Sequence, residues 1–390
     1  MKQLLASWKN YLRETSEVQR FLSDQSKPLH SIVFYAESSV YYQYYKDYID
    51  YLLSNYNVPI SYLTSDPDDR LFKETRTNLH VFYVKTLLSV VFSKLAAKAL
   101  IIATPDLGKF AIKRAAAPTH HIYAFRGVAS THYGYRLGAF DNYDSLLCIG
   151  QYQIDEVRKT EELYGLPRKE LILTGYPLIE SIYKDHLEFE KKAPKNERPV
   201  VLIAPTWSPF HPQVSILGSC IQPMIESLAK CNYEIWIRPH PEYARRFGEQ
   251  LQKLQSMMKG VSTLTFEVNT NSFELLHRAD VLITDYSAIS MDYVLGTERP
   301  ILFIDTQPRL DNPEWERIGL TPVENTFRDK LGERLKPDNM QEVPAAIERL
   351  LARKDSFRKD LPQMRNSLIA NWMHSAKVGG DYIYSLATKS

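Results

Sequence analysis

Residues 279–292 read Ala279-Asp280-Val281-Leu282-Ile283-Thr284-Asp285-Tyr286-Ser287-Ala288-Ile289-Ser290-Met291-Asp292. The apolar run Val281-Leu282-Ile283 has the character of a buried strand, which ends at Thr284-Asp285 and passes into a helix through Tyr286, Ser287 and Ser290. A strand running straight into a helix start presents free backbone N–H groups and the positive end of a helix dipole. Such a start binds anions, with Thr284, Ser287 and Ser290 as further donors and Asp292 as a second acid. A cap formed by Asp285 or Ser287 explains part of the pattern, and capping does not exclude a ligand.

Upstream, the run Tyr233 to Ile237 ends in Arg238-Pro239-His240-Pro241. The two prolines hold the chain extended and stop the strand, so His240 sits at a sheet edge with little backbone freedom. Its imidazole suits proton donation to a leaving phosphate, and Arg238 supplies fixed charge. Taken alone, the tetrapeptide reads equally well as a turn with a solvated histidine. Pro205-Thr206-Trp207-Ser208 ends another strand, where Thr206 is placed for phosphate or for a turn. Together these strand ends predict a diphosphate site.

A third cluster follows the run Ile122 to Phe125: Arg126, then Gly127, which lets a ligand approach the backbone, then His132 among small and hydroxyl residues. His132 is the catalytic candidate there, while His120 and His121 read as satisfied structural histidines. Tyr41, Tyr45 and Tyr48 share a helical face and read as core or interface.

Short apolar runs alternate with helical spacing along nearly the whole chain, from Ser31 to Tyr35 through to Pro300 to Ile304. That alternation predicts an α/β protein with parallel sheets of βαβ units. The segment Tyr183 to Pro199 is charged, holds two prolines and has little apolar periodicity, so it reads as an interdomain linker. The expected organisation is an N-terminal Rossmann-like domain over 1–185, a linker over 186–199, a nucleotide-binding Rossmann-like domain over 200–360, and a helix over 361–390 returning to the first domain. The two doubly wound domains are expected to face each other across a cleft.

The 390 residues allow two sizeable cores, and the composition, 44% hydrophobic and 24% charged, is that of an ordinary globular protein. A formal net charge of +2 gives no case for nucleic acid. Three cysteines without metal-ligand or redox spacing fit a reduced, cytosolic setting. The N-terminus lacks a secretory-signal pattern, and Lys94 and Lys98 interrupt the longest apolar stretch. Lys85, Lys94, Lys98, Lys109, Lys113 and Arg114 make this region basic and partly apolar, which suits an anionic membrane surface or a core helix with solvated lysines. No glycine-rich loop of the dinucleotide or P-loop kind occurs, so neither NAD nor ATP is expected. No cofactor is expected either, and nothing in the spacing of ligands indicates a divalent metal.

Ile237-Arg238-Pro239-His240-Pro241, the 279–289 stretch and Arg299-Pro300-Ile301-Leu302-Phe303-Ile304-Asp305 resemble the CDP-glycerol glycerophosphotransferase family of teichoic-acid-type polymerases and primases. The likeness is specific from Val200 to Asp305 and weaker from Thr104 to Pro177. It implies a GT-B-like architecture and transfer of a polyol phosphate from a CDP-activated donor to a hydroxyl of a lipid-linked or polymeric cell-surface glycan, releasing CMP. Carried over, His240 and Arg238 act on the donor diphosphate, with Ser287 and the helix start holding phosphate oxygens. The resemblance also implies a cytoplasmic protein lying peripherally on the inner membrane face. Two departures stand out: Phe125-Arg126-Gly127 replaces a Trp-His-Gly pattern, and Ser287-Ala288 replaces a double serine. The first leaves His132 as the candidate base. A nucleotide-sugar glycosyltransferase, a sugar-nucleotide epimerase and a non-catalytic binding protein remain alternative readings of the same residues.

Overall fold

Two parallel sheets organise the chain in a computed structural model, which describes residues 2–23, 28–110, 112–116, 118–193, 196–208, 211–267, 273–308 and 310–388. The first sheet is built from β1 (Ile32–Ala36), β2 (Ile60–Thr64), β3 (Leu79–Tyr83), β4 (Ala99–Ile102), β5 (His121–Ala124), β6 (Ser145–Cys148) and β7 (Glu170–Leu173). The second holds β8 (Val200–Ile203), β9 (Glu234–Ile237), β10 (Leu264–Phe266), β11 (Val281–Thr284), β12 (Ile301–Ile304) and β13 (Gly332–Leu335). Their orders are β3-β2-β1-β4-β5-β6-β7 and β10-β9-β8-β11-β12-β13, so both sheets reverse strand order next to their first strand. In a doubly wound sheet that reversal opens a crevice at the carboxyl ends, here beside β1 and β4 and beside β8 and β11.

The expected strands are present because both faces of each central strand are covered, which demands continuous apolar runs. All residues of β1, β2, β4, β8, β11 and β12 are buried. Register follows the same logic: Ile283 of β11 lies beside Ile203 of β8 and Leu302 of β12. Strand β13, Gly-Glu-Arg-Leu, is an edge strand with one buried residue, and its polar sequence hides it from pattern reading.

The chain divides into two compact units, one comprising 1–126, 135–178 and 368–390, the other 127–134 and 179–367. In the first, the helix Ser375–Thr388 packs on Lys46–Tyr56, and Ile383 and Leu386 complete the core around β1. Tyr45 and Tyr48 are buried in that core, whereas Tyr41 is only half-buried. In the second, the helix Val343–Ala352 covers β11 to β13.

The segment read as a linker is helical as far as Lys192, in a helix that runs Pro177–Lys192. Its inward face is Leu178, Ile179, Ile182 and His186, all buried, and a fully buried histidine at the fourth position broke the apolar pattern. Pro194 and Lys195 lie outside the described residues. The basic stretch after Lys85 divides into a helix, Leu88–Lys94, that buries Leu88, Val91 and Phe92, and the fully buried β4.

Candidate active site

Three strand ends converge at the carboxyl edge of the second sheet: those of β8, β9 and β11. After β9, His240 sits before Pro241 with extended backbone angles, φ −58° and ψ 139°, and caps the short helix Pro241–Arg246. Its Nδ1 accepts the backbone N–H of Glu242 at 3.1 Å. A neutral imidazole that accepts at Nδ1 carries its proton on Nε2. The Trp207 ring stacks on His240 with centroids 5.6 Å apart and planes 25° apart, and the Arg246 guanidinium lies 5.5 Å from the same indole. Trp207 follows Thr206 directly and joins the candidate site through this stacking, which sequence reasoning passed over; an aromatic just after a strand end was the available signal.

Arg238 is buried and forms an ion pair through Nε with Glu267, while its backbone N–H continues the sheet to Ile203 O at 2.9 Å. Its charge is therefore met by an acid beyond β10, a partner no local pattern reveals.

The β11 end is braced in a different way from that expected. Thr284 donates its hydroxyl to Ala204 O at 2.6 Å and is fully buried. Asp285 is also fully buried and accepts two backbone N–H groups, from Thr206 at 2.8 Å and Ile216 at 2.9 Å. Burial pushes its carboxyl up to about 7, against the pull of those two donors and of Arg328. Thr206 O in turn accepts from Ser215 Oγ at 2.7 Å, so the turn after β8 is held at both ends. Arg328 completes the brace by donating to Asp285 O at 2.9 Å and to Asp305 at 2.9 Å, with Tyr286 and Phe303 rings 4.1 and 4.3 Å from its guanidinium carbon.

Neither Asp285 nor Ser287 caps the helix Ile289–Thr297; its cap residue is Ala288 and no side chain accepts there. Ser290 Oγ donates to Ser287 O at 2.8 Å. Ser290 N–H and Met291 N–H turn back onto Ser287 O and Ala288 O at 3.1 and 3.2 Å, so a ligand at this uncapped start would meet the N–H groups that precede them. Asp292, one turn in, is buried; burial pushes its carboxyl up to about 7, and Oδ1 has no partner among the described residues. Gly127 lies against this helix start, since a Cβ placed there would be 3.4 Å from that of Ala288.

His132 belongs, with residues 127–134, to the second unit. It is buried, Nε2 lies 3.0 Å from Leu320 O, and its own carbonyl accepts from Asn312 at 2.9 Å. Ser130 is tied to Val323 N and Glu324 Oε1 at 2.7 and 3.0 Å. The histidine thus joins its loop to residues 312–324. Arg126 lies in the first unit, at the exit of β5, with its guanidinium carbon 5.0 Å from the Tyr41 ring centre. Among the described residues, no His, Cys, Asp and Glu cluster suits a metal ion.

A sequence model of the family described as CDP-Glycerol:Poly(glycerophosphate) glycerophosphotransferase matches residues 131–308. The teichoic acid glycerol-phosphate primase of Bacillus subtilis (strain 168) is 26% identical over 171 residues, covering 42% of this chain and 40% of that protein. The wall teichoic acid polymerase TagF superposes with a TM-score of 0.60 at 17% identity, over 99% of this chain and 97% of that one. A glycosyltransferase from Rickettsia africae ESF-5 does so with a TM-score of 0.53 at 10% identity, over 92% and 99%. At such identities the structural likeness is one of fold, and the fold is GT-B-like. The matched segment, 131–308, is similar to the CDP-glycerol glycerophosphotransferase family, within a chain whose fold is GT-B-like.

Proposed function

We propose that the chain transfers a polyol phosphate, glycerol phosphate or a close relative, from a CDP-activated donor to a hydroxyl of a lipid-linked or polymeric glycan, releasing CMP. The observation that carries this reading is the orientation of His240. Its Nδ1 accepts Glu242 N–H, which fixes the ring at the carboxyl edge of the sheet from which β11 leads into the uncapped helix Ile289–Thr297. In the reaction the acceptor oxygen forms a bond to the phosphorus bearing the polyol, and the bond from that phosphorus to the bridging oxygen breaks. His240 donates its Nε2 hydrogen bond to the departing CMP phosphate, and the helix start with Ser287 holds the remaining phosphate oxygens. The acceptor proton leaves to solvent or to a base. Arg238 contributes through its pair with Glu267, and Thr206, Thr284 and Asp285 hold the shape of the edge. His132 is assigned to positioning its loop against residues 312–324.

A panel of CDP-glycerol, CDP-ribitol and UDP-sugars with a lipid-linked acceptor tests the reading by CMP release. We expect CMP from a CDP-polyol and a loss of at least about 100-fold in kcat for His240→Ala. Consumption of a UDP-sugar without CMP release, or full turnover by that variant, would overturn it.

Peripheral binding to anionic lipid is part of the same proposal. The helix Lys2–Leu22 packs on β3 and exposes Trp8, Tyr11 and Leu12 at 64%, 47% and 60%, with Val90 of Leu88–Lys94 exposed at 42%. Lys9, Lys85, Lys94 and Lys98 are exposed in the same unit. Apolar and aromatic tips among lysines suit an anionic interface. No described helix is long and apolar enough to cross a membrane. Sedimentation with phosphatidylglycerol vesicles should fall at least about tenfold for a Trp8→Glu, Leu12→Glu double variant; unchanged sedimentation would remove this part.

A further inference from the structure

Among the described residues, the first unit holds a cation that no carboxylate answers. Arg126 leaves β5 half-buried at the carboxyl edge, and its guanidinium carbon lies 5.0 Å from the ring centre of Tyr41. Tyr44, Tyr123 and Tyr135 are within electrostatic range. Arg126 forms no hydrogen bond or ion pair with any described residue, in contrast to other arginines of this unit. Arg76 pairs with Asp50, Arg114 takes both oxygens of Asp144, and Arg158 pairs with Glu161. Acids on the same edge are engaged elsewhere: Glu37 accepts the Thr104 hydroxyl at 3.1 Å, and Asp106 lies 4.0 Å from Arg136.

A partly desolvated guanidinium loses hydration that aromatic faces replace only weakly, and its fork of N–H donors fits an oxyanion. The setting adds shape. Tyr41 and Tyr44 belong to the turn Ser39–Tyr44 that follows β1, so Arg126 reaches from β5 toward the β1 side, past β4. Beside β1 and β4 is the strand-order reversal of this sheet, where doubly wound folds take their ligands. The two tyrosine rings are half-buried, with centroids 6.3 Å apart and planes 37° apart, and lie beside the charge. Flat aromatic faces next to a guanidinium match the carbon skeleton of a polyol or sugar that carries a phosphate.

We infer that Arg126, with Tyr41 and Tyr44, forms a subsite in the first unit for a phosphorylated polyol or sugar. Assigning that ligand to the acceptor rests on the transfer proposed above; the anion site itself does not. Arg126 is then a specificity-determining residue, selecting an acceptor that carries phosphate over a neutral one.

The test titrates the full chain, held in saturating CDP, with glycerol 3-phosphate, inorganic phosphate or glycerol, read by ligand NMR line broadening. Wild type should bind glycerol 3-phosphate about tenfold tighter than either of the others. Arg126→Gln should lose that preference, and Arg126→Lys should keep part of it. Thermal unfolding separates a ligand role from a structural one: removing an unanswered charge should leave Tm unchanged or raise it. Equal binding by wild type and Arg126→Gln overturns the site, as does a fall in Tm with glycerol 3-phosphate affinity intact. Inorganic phosphate binding as tightly as glycerol 3-phosphate overturns the polyol part. If CDP itself fails to bind, the donor reading falls alone, and the comparison of the two chains still decides the subsite.

Discussion

The carboxylate of Asp285 accepts the backbone N–H of Thr206 at 2.8 Å and so joins the end of β11 to the turn after β8. Its other oxygen takes Ile216 N–H at 2.9 Å. Asp285→Asn would set an amide N–H against one of these backbone donors. We expect a loss of about 1–3 kcal/mol in urea unfolding. Because Thr206 and Trp207 share that turn, donor KM should rise more than acceptor KM. Wild-type stability in the variant would remove the clamp from the account.

Asp292 tests the opposite situation, a buried carboxyl with one oxygen unpaired among the described residues. Burial lifts its pKa from 3.8 to about 7. The unfolded chain releases this proton near 3.8 and the folded chain retains it to about 7, so the contribution to stability is present below that window and lost as pH rises through it. At about 1.36 kcal/mol per unit, the ceiling is about 4 kcal/mol. Asp292→Asn should therefore gain on wild type progressively between about pH 4 and pH 8. A constant difference across that range would count against this picture.

His186 has the reverse sign. It is fully buried in the helix Pro177–Lys192 and stacks on His277 at 5.5 Å, with no hydrogen bond to either ring nitrogen among the described residues. Glu190 Oε1 lies 3.4 Å from Nε2, and Arg299, Arg358 and His277 add positive charge nearby. Burial, assisted by Arg299, His277 and Arg358 and opposed by Glu190, pushes the pKa of His186 down to about 3, and burial also lowers that of His277. The stability they contribute is present above about 6.5 and lost as pH falls, because only the unfolded chain takes up the protons. His186→Phe should therefore raise Tm relative to wild type at pH about 5 and change it little at pH about 8. Parallel Tm curves for the two chains would contradict the assignment.

Gly296 marks where the helix Ile289–Thr297 meets the helix Pro177–Lys192. A Cβ added there would come within 2.5 Å of Ile182 Cγ2. A branched side chain on a helix cannot swing far, so Gly296→Ala should cost about 1–3 kcal/mol. Adding Ile182→Ala should recover part of that cost, and additive effects in the double-mutant cycle would refute the contact.

How much of this was legible in the sequence depends on where each residue's partner lies. Val281-Leu282-Ile283 announced β11 because a strand covered on both faces must be apolar throughout. Gly332 to Leu335 did not, because an edge strand tolerates Glu333 and Arg334. The helix Pro177–Lys192 was masked by a histidine occupying a core position. In the site, the strand ends at Thr206, His240 and Thr284 were readable from local pattern. The pairing of Arg238 with Glu267 and the double N–H grip of Asp285 were not, since each joins segments far apart in the chain. Tyr41 was grouped with the packed tyrosines because spacing on a helix does not reveal which ring remains half-buried.

The route of the chain has a consequence for how the protein is made. It passes between the units after residues 126, 134, 178 and 367, and the core around β1 includes Ile383 and Leu386. During synthesis, therefore, the sheet that begins at Ile32 waits for the helix Ser375–Thr388 before its hydrophobic covering is complete. The second unit, bounded by residue 367 but needing the 127–134 loop, can mature earlier. A released chain truncated after residue 367 should accordingly expose an unfinished first unit to chaperones and proteases while the second resists them.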